Sequence, residues 1–422
     1  PVLVYYYGGG YIAGDGSEYR YDGESMARRG IVSITVNYRL GVFGFFSHPD
    51  LAKETSYKGC GNYGLMDQAA ALQWVQKNIA VFGGDPKRIT IAGESAGSFS
   101  VSALMASPLS KNRIAGAIGE SGSLLGNGLV STLQDAEKSG EDFAKSIHKN
   151  SLEELRAMSA EDLLKATSHA GFGSFPVDVD GYFFPKQPLD IYESGQQAHI
   201  PLLVGWNSEE MNYHFILGAE KPTVENFEAA IKKRFGDKAG ALLSVYHAAD
   251  DSEVEKVATA FASDQFIAFG TWKWSEEQSK TGVKPVYQYF FERARPEMRA
   301  EMGNSVAGLA GGVIKDTSSQ QKPKPPIPKG AVHSAEIEYA LGNLPSNRVY
   351  DWQADDYKVS DIMQTFFENF IKTGNPDGIT VPHWPKVDIN KPVQVMHINT
   401  DTRVETETTR DRYLVLDKMN KK

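Results

Sequence analysis

The 422-residue sequence predicts an α/β protein built on a mostly parallel, doubly wound sheet. Three observations carry that prediction. Short β-branched or apolar runs at residues 31–36, 88–92, 114–118 and 202–204 alternate with helix-compatible stretches. One run leads straight into Gly93-Glu94-Ser95-Ala96-Gly97, and a helix-compatible stretch, 98–105, follows at once. An earlier strand-like run, residues 1–7, ends in Gly8-Gly9-Gly10.

The first run, Val2-Leu3-Val4-Tyr5-Tyr6-Tyr7, delivers the chain to three consecutive glycines. Glycines at that place let backbone N–H groups approach a reacting carbon with no Cβ in the way. In folds where a strand enters Gly-x-Ser-x-Gly, such a loop supplies donors to an oxyanion, together with the residue after the serine. Gly9, Gly10 and Ala96 are the candidate donors. A rival reading takes Gly8-x-Gly10-x-x-Ala13 as a dinucleotide fingerprint. That reading needs a helix opening at the glycines and an acid ending the next strand. Gly14, Asp15 and Gly16 break any helix there, and the run 31–36 ends in Asn37-Tyr38-Arg39, so no nucleotide cofactor is expected.

Residues 65–79 show the clearest helical spacing of apolar residues. The run 88–92 then feeds the Gly-x-Ser-x-Gly turn. A strand-to-helix turn this tight strains the serine backbone and exposes its hydroxyl at the top of a sheet, which makes Ser95 the candidate nucleophile. After the run 114–118, residues 124–197 read as a helical insertion, and after 202–204 so do residues 213–281. Both contain charged, Ala/Leu-rich helical stretches, at 151–167 and 223–247, suited to a lid. Phe172, Phe175, Phe183, Phe184 and Trp272 within them are expected mostly to pack, with an acyl pocket as the alternative. Residues 320–329, with a Lys-Pro-Lys-Pro-Pro run, read as a stiff exposed loop.

The ordered motifs resemble the type-B carboxylesterase/lipase family, which includes cholinesterases and bacterial para-nitrobenzyl esterases. The matching residues are Tyr7-Gly8-Gly9-Gly10, Asn37-Tyr38-Arg39, Gly61-Asn62-Tyr63-Gly64-Leu65-Met66-Asp67-Gln68, Phe82-Gly83-Gly84-Asp85-Pro86 and the turn at Ser95. Later matches are Glu120-Ser121-Gly122-Ser123, Val179-Asp180-Gly181, Thr373-Gly374-Asn375-Pro376 and Trp384-Pro385. They run in family order nearly to the C-terminus. Tyr7 stands where the family often has His, as in the cholinesterase branch.

The resemblance implies an α/β-hydrolase fold and a Ser-His-Glu triad. The family's acid sits in Gly-x-Asn-x-x-Glu, matched by Gly205-Trp206-Asn207-Ser208-Glu209-Glu210, so register selects Glu210 and rejects Glu209. Met211 replaces the usual Gly after it. The family's histidine precedes a Glu-Ile helix, matched by His333 ahead of Glu336-Ile337. His214, four residues after Glu210, is confined to the same segment and is set aside with the other seven histidines. Relatives also imply that Glu94 stands near the site as an electrostatic group and that Ser121 supports the acid. The implied activity is hydrolysis of small to medium carboxylic esters through an acyl-enzyme. An aryl or feruloyl esterase is the alternative, beside a catalytically silent truncated form or a non-catalytic cholinesterase-like protein.

The triad spans residues 95–333, so one catalytic domain over 1–422 is the expectation, with the two insertions as its cap. Net charge is −9 with scattered basic residues, which argues against nucleic acid and leaves the ester and water as partners. No run is long enough for a membrane span, so a soluble chain is expected, cytoplasmic or, with a signal peptide ahead of residue 1, secreted or periplasmic. Cys60 is the only cysteine and excludes an intrachain disulfide. No His-x-x-x-His or Cys-x-x-Cys spacing supports a metal. Relatives carry a further segment upstream of the glycine loop, so the resemblance implies a fragment or short form with a weakened sheet edge.

Overall fold

The computed structural model describes residues 1–126, 128–169, 173–308, 311–315 and 328–420. Among the described residues, eight of twelve strands form one sheet: β1 (Val2–Tyr6), β2 (Val32–Thr35), β3 (Ile89–Glu94), β4 (Gly116–Glu120), β7 (Leu202–Asn207), β8 (Val286–Phe291), β11 (Gln394–Ile398) and β12 (Arg403–Thr406). Between them, β5 (Val130–Thr132) pairs with β6 (Val177–Val179), and β9 (Val306–Ala307) with β10 (Val313–Ile314). The main sheet runs β12-β11-β8-β7-β4-β3-β1-β2. Every pairing is parallel except β11 with β12.

Both faces of the sheet are covered, which is why its strands read as continuous apolar runs. Along β1, Val2, Val4 and Tyr6 enter one core layer with Leu65, Leu72 and Val101. The intervening Leu3, Tyr5 and Tyr7 enter the opposite layer with Val359, Phe366 and Phe370. The doubly wound arrangement expected from the sequence is thus present.

Local details differ from the sequence reading for physical reasons. The strand expected at 114–118 lies at Gly116–Glu120, because the register Thr90↔Gly116 to Glu94↔Glu120 carries it past the apolar run. Polar Glu120 is thereby fully buried. The helical stretch at 151–167 divides into Leu152–Arg156 and Ala160–Ala166, since the Ser159 side chain caps the second by accepting from the Asp162 N–H. That at 223–247 divides into Val224–Phe235 and Ala239–Val245 around Gly236, whose φ is +53°.

Phe183, Phe184 and Trp272 are buried in the core, whereas Phe175 lines a cavity. Phe172 and residues 320–327 of the proline-rich stretch lie outside the described residues. The helix Phe269–Thr281 lies on the sheet, where Trp274 packs so close to Gly119 that a Cβ there would meet its ring at 2.3 Å. Before it, Asp264–Ala268 forms a π-helical turn. Among the described residues no helix is long and apolar enough to cross a membrane.

Candidate active site

Ser95 stands where β3 passes into the helix Ala96–Ala106, with φ +55° and ψ −121°. That backbone is costly for a residue with a side chain and persists only where its surroundings impose it. Here the Ser95 N–H donates to the Glu120 carbonyl at 2.9 Å, and its carbonyl accepts the Phe99 N–H at 2.9 Å. A Cβ on Gly97 would stand 1.9 Å from the Tyr6 carbonyl oxygen, so only glycine lets the helix start so close to β1.

His333 arrives on a loop held by a parallel bridge between Glu209 and Val332. The Glu209 N–H donates to the Ala331 carbonyl at 2.8 Å, and the Ala331 N–H to Ser208 Oγ at 2.9 Å. Residue 334 then turns with φ +63°. Arg295 Nη2 holds that turn, donating to the Ser334 carbonyl at 2.5 Å and to Glu338 Oε2 at 2.7 Å.

These loops bring His333 Nε2 to 2.9 Å from Ser95 Oγ and His333 Nδ1 to 2.6 Å from Glu210 Oε2. Glu210 is buried, and its second oxygen accepts the Ser121 hydroxyl at 2.5 Å and the Asn207 N–H at 2.7 Å. Glu209 takes part in the bridge through its backbone. His214 lies at the start of the short helix His214–Leu217, its ring exposed and bonded to the Gly218 carbonyl.

The glycine loop crosses the same end of the sheet. A Cβ on Gly8 would meet Glu94 Oε2 at 2.7 Å and Ser95 Cβ at 3.1 Å, so the loop lies directly on the serine turn. Gly9 and Gly10 have φ of +104° and +64°. Among the described residues no protein acceptor takes the N–H groups of Gly9, Gly10 or Ala96. Gly9 and Ala96 are buried, and buried donors without partners mark a place where another oxygen is expected.

Sequence reasoning did not anticipate how acidic the ground under His333 is. Glu94, Glu120, Glu210 and Glu336 are all buried there. Burial, reinforced by Glu94 and Glu210, pushes Glu336 up to about 8, and Asn207 Nδ2 donates to it. Burial likewise lifts Glu120 well above the carboxylate range, with Glu336 and Glu94 adding to it. Glu94 is lifted to about 7 by burial against the pull of His333 and Arg20. Burial works against the charged form of His333, but Glu94, Glu210 and Glu336 together outweigh it and hold the imidazole at about 9. Phe266, from the π-helical turn, stands edge-on to the ring at 5.0 Å. Glu336 had been legible only as a helix signal, and Phe266 and Arg295 had no signal. Among the described residues, no group of three or more His, Cys, Asp or Glu is arranged to hold a metal ion.

A serine hydroxyl, an imidazole held by a carboxylate, and N–H donors without protein acceptors among the described residues make an arrangement suited to acyl transfer. A model described as "Carboxylesterase family" matches residues 1–415. The fumonisin B1 esterase of Sphingopyxis macrogoltabida is 32% identical over 415 residues, covering 92% of this chain and 68% of that protein. The para-nitrobenzyl esterase of Bacillus subtilis (strain 168) is 30% identical over 400 residues, covering 91% of this chain and 73% of the relative. A solved PNB esterase superposes with a TM-score of 0.76 at 26% identity, covering 99% of this chain and 80% of that one. A thermophilic PNB esterase gives 0.76 at 27%, with the same coverage. The fold is therefore the α/β-hydrolase fold.

Proposed function

The chain belongs to the carboxylesterase family, and from that premise we propose that it hydrolyses small to medium carboxylic esters through an acyl-enzyme on Ser95. The observation that carries this reading is the unbroken hydrogen-bonded series Ser95–His333–Glu210, at 2.9 and 2.6 Å, facing a loop with unpaired N–H groups.

Ser95 Oγ attacks the ester carbonyl while His333 Nε2 takes the hydroxyl proton. The carbonyl π electrons move to oxygen, and the N–H groups of Gly9, Gly10 and Ala96 receive that oxyanion. Collapse of the tetrahedral centre breaks the C–O bond, and His333 returns its proton to the leaving alcohol. Water, deprotonated by His333, then attacks the acyl-enzyme, releases the acid and restores Ser95. Glu210 orients the imidazole through Nδ1 and stabilises its charged form. Ser121 and the Asn207 N–H keep that carboxylate in place, and Glu94 acts on His333 electrostatically.

The same reading treats residues 1–422 as one catalytic unit, with 124–197 and 213–281 contributing its cap. It requires only ester and water, and no cofactor. Hydrolysis of para-nitrophenyl acetate, butyrate and octanoate, beside Ser95→Ala, tests it. Turnover is expected to fall on the order of 10⁴-fold or more in the variant. A folded wild type as inactive as the variant sinks the reading and leaves a silent protein of the same fold.

A further inference from the structure

A polar cavity of about 140 Å³ is lined by β7, β8 and β11, by the start of the π-helical turn and by the segment 406–413. At roughly 10–15 Å³ for each water-sized sphere, it has room for on the order of ten non-hydrogen atoms. Neither Ser95, Glu210 nor His333 lines it. Three of its wall residues nevertheless fix the surroundings of those groups. Ser208 Oγ accepts the N–H of Ala331, two residues before His333, at 2.9 Å. Ser263 Oγ accepts the N–H of Met211, next to Glu210, at 3.2 Å and donates to its carbonyl at 3.1 Å. Asp264 opens the π-helical turn whose Phe266 stands against the His333 ring.

Two buried polar atoms on residues lining this cavity have no hydrogen-bond partner among the described residues: Glu407 Oε1 and Gln288 Nε2. The Glu407 side chain is 3% exposed and meets Arg410 at 3.2 Å. Gln288 is 2% exposed and its Oε1 accepts the Ser275 hydroxyl at 3.1 Å. The Gln288 amide is near enough to favour the Glu407 charge, yet no hydrogen bond closes between them. An acceptor and a donor left buried and close together are costly unless a third group joins them.

Charge selects the kind of group. Asp264 and Glu407 bring two carboxylates to the lining, against the single guanidinium of Arg412. The other cations nearby are taken: Arg410 is shared with Glu276 at 2.8 Å, and His397 meets Glu292 at 3.0 Å. Burial outruns these partners, lifting Asp264 to about 6 and raising Glu407. One further positive charge is therefore favoured there and an anion is not.

We infer that this cavity binds a compact primary ammonium ligand with an oxygen on the neighbouring carbon, a 1,2-amino alcohol, its N–H groups on Glu407 Oε1 and its oxygen on Gln288 Nε2. Occupancy fastens the walls that hold Glu210 and His333 and so favours the assembled triad. Only this coupling rests on the ester-hydrolase reading of Ser95; the binding does not.

Calorimetric titration of the full chain at pH 7.5 and fixed ionic strength, with ethanolamine, ethylamine and ethylene glycol, tests the site. A ligand so small binds no tighter than about 10⁻⁵–10⁻⁴ M, so concentrations reach the millimolar range. Ethanolamine is expected to fill one site per chain, at least tenfold tighter than the amine without oxygen or the diol without charge. Glu407→Gln removes the carboxylate and leaves Arg410 its bond to Glu276; Ala260→Leu fills the cavity from the helix Asp251–Ser263 without touching charge. Each is expected to weaken ethanolamine tenfold or more, and whichever folds decides. No saturable binding, equal binding of the three ligands, or an affinity that the folded variants leave unmoved overturns the inference. Ethanolamine is also expected to raise kcat/KM for para-nitrophenyl butyrate about fivefold in wild type and not in Glu407→Gln. Attack of the amine on the ester is common to both proteins, so an equal response overturns the coupling. Saturable binding to an inactive chain upholds the site and counts against the esterase reading alone.

Discussion

Glu94 Oε1 lies 3.2 Å from His333 Nε2, the same ring nitrogen that faces Ser95 Oγ. A buried carboxylate at that distance favours the imidazolium, so the base is harder to keep neutral than an ordinary histidine. Its protonation at about 9 places the acid limb of kcat/KM for ester hydrolysis near pH 9, well above the usual imidazole value of roughly 6.5. Glu94→Gln keeps the volume and removes the charge. Its limb is expected to move to lower pH by roughly 1–3 units. An unmoved limb in that variant would show that Glu94 does not set the base.

Stability should respond to pH in the same region. The His333 pKa, about 9, is raised above its unfolded value, so its contribution is fully present below roughly pH 6.5 and is lost as pH rises through about 9. Glu94 at about 7, Glu336 at about 8 and Asp178 at about 8 are also raised, chiefly by burial. Their contributions are present below the ordinary carboxylate range and fade as pH passes each folded value. The thermal midpoint is therefore expected to fall from pH 6 to pH 9. Asp178→Asn, distant from the candidate nucleophile in sequence, is expected to make that decline shallower; an equally steep decline would count against the assignment.

Gly8 tests the donor loop. A Cβ there would stand 2.9 Å from the Glu94 carbonyl oxygen as well as against Ser95, and backbone cannot yield as a side-chain end can. Gly8→Ala is expected to displace the loop and lower kcat by about 10²–10³-fold, the usual cost of losing an oxyanion donor. Gly240→Ala, where a Cβ meets nothing within 4 Å, is the control and should match wild type. Equal kcat in both variants would remove the glycine loop from the mechanism.

Arg295 is a positioning residue. Its guanidinium grips the Ser334 carbonyl and Glu338 and lies 5.2 Å over the Tyr350 ring. Arg295→Met leaves the buried Glu338 without its ion-pair partner, with the Asn347 amide still donating to Oε1, and denaturant unfolding is expected to show a loss of about 3–5 kcal/mol. Arg295→Lys keeps the charge but not the planar fork. That variant should fold, with kcat lowered about tenfold or more and KM little changed, as a misplaced base predicts. A change in KM alone would count against a role in placing His333.

Two parts of the candidate site are legible in the sequence alone. Gly93-Glu94-Ser95-Ala96-Gly97 between a strand and a helix, and three glycines after another strand, are local signals whose meaning depends on a few adjacent residues. Glu210 and His333 came from resemblance, because nothing in their own neighbourhoods distinguishes them from other acids and histidines. Their approach to Ser95 depends on the bridge between Glu209 and Val332, a contact across more than a hundred residues.

What the sequence determined by itself is the alternation of strands with helices and the two local turns, at Gly8-Gly9-Gly10 and at Gly93-Glu94-Ser95-Ala96-Gly97, since backbone propensity, glycine placement and apolar spacing act over short range. Only the tertiary structure decided that β4 slides along β3 until Glu120 is buried, that Glu94 and Glu336 gather with it beneath His333, and that Leu164 overhangs an open cavity. Those outcomes depend on desolvation and on distances between charges from separate segments. Neither quantity exists until the chain is packed.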